Sequence, residues 1–107
     1  MSAKVFIAVY KPHPGCEEKL RTLVAQHYPA LRGLGLVTER DNWVMKAEDG
    51  TLIEIGEWQN DDAVDRAHRA PQIENLWNAM AKVASFETLA SLVEASKLFP
   101  HFDPVQF

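Results

Sequence analysis

The apolar and polar positions of this chain fall into alternating, helical and broken stretches that outline its elements. Ala3 to Tyr10 is a run of β-branched and aromatic residues, with Val5, Ile7 and Val9 on one strand face and Phe6, Ala8 and Tyr10 on the other. A strand apolar on both faces is expected to be covered on both. Lys11 to Gly15, with two prolines and a glycine, is a turn. Leu20, Leu23, Val24, His27, Tyr28 and Leu31 then recur at i, i+3, i+4, i+7, i+8 and i+11, which predicts a helix with one packed stripe. Pro29 predicts its end or a kink near Tyr28, with Gly33 and Gly35 at the exit.

Leu36 to Glu39 and Trp43 to Ala47 read as a second strand broken at Arg40–Asn42. Asp49-Gly50 is a hairpin signal leading into a third strand, Thr51–Trp58. On that strand Ile53 and Ile55 face one way, and Leu52, Glu54, Gly56 and Trp58 the other. Gly56 is expected to leave space beside Trp58 for a ligand or another backbone. Asn60 or Asp61 can cap the next helix, which closes on His68. Pro71 opens a continuation whose stripe is Ile73, Leu76, Trp77, Met80, Val83 and Ala84. Phe86 to Leu92 reads as a fourth strand. The tail carries Phe99, Phe102, Val105 and Phe107 and is too apolar to hang free, so it is expected to pack on the body or across a subunit interface.

The order β-α-β-β-α-β predicts an α+β, ferredoxin-like fold over residues 1–107 as a single domain, with helices on one face of an antiparallel sheet. The other face is left for a second copy, which predicts a homodimer.

Charge narrows the range of partners. A net charge of -4 with no basic cluster leaves no footprint for nucleic acid or an anionic membrane. No apolar stretch approaches the ~20 residues of a membrane span, and the N-terminal apolar run is too short for a signal peptide. Cys16 is the one cysteine and cannot form an internal disulfide, which agrees with a cytoplasmic location. His13 with Cys16, and His101 with Asp103, lack a second pair at zinc spacing, so no metal is expected.

Candidate chemistry gathers at the corner between the third strand and the helix after it. His68 is the leading catalytic candidate, because an imidazole near neutral pKa can take a phenolic proton or act in an isomerisation. Trp58 can stack on a planar ligand. Glu54 shares its strand face and is a candidate second base, its carboxyl raised if that face is buried. His27, inside the first helix's stripe, reads as a core histidine with a possible substrate-binding role. Tyr10 and Trp77 read as packing residues.

The run GLVTER…DGTLIEIGEW…DAVDRAH…P…LW resembles the dimeric α+β barrel superfamily, in its antibiotic-biosynthesis-monooxygenase-like branch. The resemblance spans Val5 to about Leu92. It implies two ferredoxin-like subunits forming a barrel from their sheets, each with a pocket between sheet and helices. It also implies a small-molecule enzyme acting on an aromatic or quinol-type substrate without a cofactor. Trp58 and His68 match the tryptophan and histidine of the haem-degrading members. The asparagine those members carry on the first strand has no counterpart in VFIAVY. Isomerase or decarboxylase chemistry, and a non-catalytic ligand-binding or stress-response module, are the alternatives.

Overall fold

The computed structural model describes residues 2–107. Strand β1 (Lys4–Pro12) leads into helix α1 (Glu17–Gly33), followed by β2 (Trp43–Lys46) and β3 (Leu52–Trp58). Helices α2 (Ala63–His68) and α3 (Pro71–Val83), strand β4 (Ala84–Glu87) and a short β5 (Asp103–Pro104) complete the order. The sheet runs β4-β1-β3-β2-β5, and every neighbouring pair is antiparallel. With β3 between β1 and β2, this is the split, ferredoxin-like α+β arrangement that the pattern predicts.

The two parities of β1 meet different surroundings. Tyr10 joins Leu20, Val24, Leu52 and Met80 in the core beneath the helices. On the outer face Val9 joins Ala47, Ile53 and Leu92. That second cluster is supplied by the tail. After β4 the chain makes two 3₁₀ turns, Leu89–Ser91 and Val93–Ser96. It crosses the outer face, adds β5 to the edge of β2, and ends with Phe107 against Arg21 of α1. The tail therefore covers one half of the outer face. At the other half Val5, Ile7 and Trp43 remain 64%, 46% and 63% exposed.

Several local expectations are corrected. Helix α1 does not stop at Pro29 but runs to Gly33. A proline removes one internal hydrogen bond, and the buried Tyr28 and Leu31 on either side hold the helix together across that gap. The fourth strand begins at Ala84, directly on the end of α3, and stops at Glu87 rather than reaching Leu92. The second strand keeps only one bridge, Val37 with Trp58, before its break. No side chain caps α2, whose Ala63 N–H meets the Asn60 carbonyl instead.

The space above Gly56 holds rings rather than a ligand. A Cβ there would sit 2.5 Å from the Phe6 ring and 2.7 Å from the Tyr28 ring. Glycine is needed at this position for close approach, not for a left-handed turn.

Candidate functional site

Strand β4 pairs with β1 only from Val9 to Pro12. Beyond Glu87 the first half of β1 has no strand on that side among the described residues, and a cavity opens along it. The cavity measures about 350 Å³. Its floor is β1 from Phe6 to Tyr10, its helix wall is Val64, His68 and Trp77, and Trp58 and Phe86 close its ends. A small planar molecule fits such a space, and the lining is mostly aromatic and aliphatic.

Trp58 and His68 thus come together, as the third-strand and second-helix positions suggest. Trp58 packs on Phe6 with ring centroids 5.0 Å apart. His68 closes α2 on the exposed side of the cavity, its ring edge-on to Trp77 at 4.8 Å. Among the described residues the His68 imidazole makes no hydrogen bond, so both ring nitrogens are available.

Behind the cavity lies a buried polar chain. The Trp77 indole N–H donates to His27 Nε2 at 2.8 Å. An indole nitrogen only donates, so Nε2 accepts and the ring proton sits on Nδ1. His27 is therefore the neutral tautomer that donates from Nδ1 to Glu54 Oε1, 2.8 Å away. The Tyr10 hydroxyl donates to the same oxygen at 2.7 Å, and Asn42 Nδ2 donates to Oε2 at 3.0 Å. Glu54 is fully buried and acts as acceptor in all three bonds, which suits a carboxylate. Burial, with the neighbouring Glu54 charge and the hydrogen bond to it, holds the Tyr10 hydroxyl well above its ordinary range. It stays a neutral donor across physiological pH.

Glu54 does not itself line the cavity, and both its oxygens are occupied. It reaches the cavity through Tyr10 and His27, which do line it. His27 has no nitrogen left for a ligand and contributes ring surface. Tyr10 and Trp77, read from sequence as packing residues, border the cavity as well as packing. Their signal was present only in part: Tyr10 shares a strand face with Phe6, and Trp77 lies nine residues after His68, but nothing local shows that the two meet.

No protein-family model matches the chain, and no curated protein matches it. Among solved structures, that of Rv0793 from Mycobacterium tuberculosis is similar in fold. Its TM-score is 0.65 at 20% identity, over 78% of this chain and 85% of that one. The likeness supports the antiparallel α+β fold.

Proposed function

We propose that this chain is a small-molecule enzyme of the antibiotic-biosynthesis-monooxygenase-like kind, oxidising a phenol- or quinol-type substrate with O2 and no resident cofactor. The observation that carries this reading is the unpartnered His68 imidazole on the rim of an aromatic-lined cavity. In this proposal His68 takes the proton of the substrate hydroxyl. The resulting phenolate passes one electron to O2, and the radical pair combines at a ring carbon to give a peroxide. His68 returns its proton to the outer peroxide oxygen. The O–O bond breaks as the hydrogen on that ring carbon leaves as a proton, which joins the departing hydroxide, so phenol plus O2 becomes quinone plus water. Trp58 forms a stacking wall, and the buried Glu54–His27 pair fixes Trp77 beside the base.

The same reading makes the protein a homodimer, its uncovered outer face at Val5, Ile7 and Trp43 packed on a second copy, in the cytoplasm. Oxygen uptake across a panel of phenols and hydroquinones tests the chemistry. The wild type should consume O2 with at least one of them, and His68→Ala should lower kcat/KM by about 10²–10⁴-fold. Uptake at the buffer rate throughout would sink the oxidase reading. Turnover that persists without oxygen would favour isomerase or decarboxylase chemistry in the same cavity. Tight binding with no product would favour a ligand-binding module.

A further inference from the structure

The cavity is floored by consecutive residues of β1, Phe6 to Tyr10, drawn from both faces of the strand. A cavity that touches both parities of a strand lies along its edge, and an edge offers main-chain groups rather than side chains.

The register shows which groups these are. The His13 N–H donates to the Val83 carbonyl on the β4 side. In an antiparallel ladder, alternate residues direct both N–H and C=O to the same neighbour. Counting back by twos, Lys11 and Val9 direct their pairs at Ser85 and Glu87 of β4. Ile7 comes next. Its partner across the sheet is Ile55 of β3, but its own N–H and C=O point away from β3, over the side where β4 has ended. Among the described residues no hydrogen bond reaches either group. An edge left open in this way is a ready template for any molecule with the complementary pair.

We propose that the Ile7 N–H and C=O form a recognition element of this cavity, reading a planar ligand that carries an acceptor and a donor on neighbouring atoms of one edge, as a lactam does. This rests on the reading of the cavity as the substrate site and narrows its ligand class. The lining supports a flat ligand over a peptide strand: Trp58, Trp77 and His68 present rings around a space of about 350 Å³. Only two residues of the required parity, Val5 and Ile7, lie on the free part of β1. The aromatic walls hold the ring system, and the main-chain pair sets which of its edges faces β1.

The test is titration calorimetry with 2-quinolinone, its N-methyl derivative, which lacks the donor, and 2-naphthol. Wild-type protein should bind 2-quinolinone about tenfold more tightly than the N-methyl compound, the effect of one hydrogen bond left unmade. Ile7→Pro removes the free N–H and no hydrogen bond to β3 or β4, so this open stretch of β1 tolerates it. It should erase that preference, whereas Ile7→Ala, which keeps the N–H, should retain it. A measurement on unaltered protein stands beside the variant: 2-quinolinone should slow hydrogen exchange at the Ile7 amide and leave the already paired Val9 amide unchanged. Equal binding of the two quinolinones, or an Ile7 amide protected by self-association without ligand, would overturn the proposal. Binding of 2-naphthol but not 2-quinolinone would overturn it while leaving the cavity as a substrate site. Failure of all three compounds would overturn the edge proposal, and oxygen uptake across the phenol panel then decides the substrate-site reading.

Discussion

A carboxylate taken out of water must find its donors inside the protein, and Glu54 finds three, from Tyr10, His27 and Asn42. Removing the acceptor strands all three donors. Glu54→Leu should therefore destabilise the fold by about 3–5 kcal/mol, the range for breaking a buried charged network from one side. Glu54→Gln should cost only about 1 kcal/mol. Its carbonyl can take the Oε1 position toward Tyr10 and His27, and Asn42 can turn its amide oxygen toward the new NH2. Urea unfolding of both variants checks the contrast, and equal losses would mean that the network is not held by acceptor geometry. Part of this was legible in the sequence. Strand parity placed Glu54 on the face of Trp58, and helical spacing placed His27 on the packed stripe. Their meeting was not legible, because residues 27 and 54 lie on separate elements and no local pattern encodes which helix turn lies over which strand position. Trp77 was hidden for a further reason: in a helical stripe an indole is read by its apolar bulk, and its single N–H finds His27 only in the folded chain.

The elements owe their places to close approach as much as to propensity. Gly56 lets β3 lie under the rings of Phe6 from β1 and Tyr28 from α1. Phe6 in turn stacks on Trp58 and lines the cavity. Gly56→Ala should destabilise by about 1–3 kcal/mol, as overpacking does, and should shift tryptophan fluorescence as Phe6 is pushed against Trp58. An unchanged melting temperature would show that the two rings give way freely. Where sequence reading of the elements failed, it failed where packing overrode a local rule. Pro29 is a helix breaker by its chemistry, yet two buried neighbours outweigh one lost hydrogen bond. The fourth strand is misplaced because Ala84 belongs to the helical stripe by spacing and to β4 by pairing with Pro12. The early end of β4 cannot be seen in its residues at all, and it is this end that leaves part of β1 open to the cavity.

At the scale of the whole molecule, the two faces of the sheet are treated unequally. The helices cover the inner face except at the cavity beside β1, and the C-terminal segment covers the Val9–Ile53 half of the outer face. The apolarity of the tail made its packing predictable, but its route was not, since wrapping a sheet edge needs no periodic signal. Val5, Ile7 and Trp43 remain in water, and large apolar side chains grouped on a sheet face favour association. The proposed dimer joins these patches, and symmetry makes the contact self-complementary. Sedimentation should then show a species of twice the 12.1 kDa chain at micromolar concentration. Trp43→Asp should shift it to monomer without altering the circular dichroism of the fold, because Trp43 is 63% exposed and holds no core position. A monomer throughout the concentration range would remove the dimer, while the cavity walls of Trp58, His68 and Trp77 are already formed within the single chain. Ile7 belongs both to this patch and to the cavity lining, so the oligomeric state and the chemistry are read by separate measurements. A variant that becomes monomeric but still oxidises a phenol would place the chemistry in the single subunit and give the second copy the role of shielding the outer face.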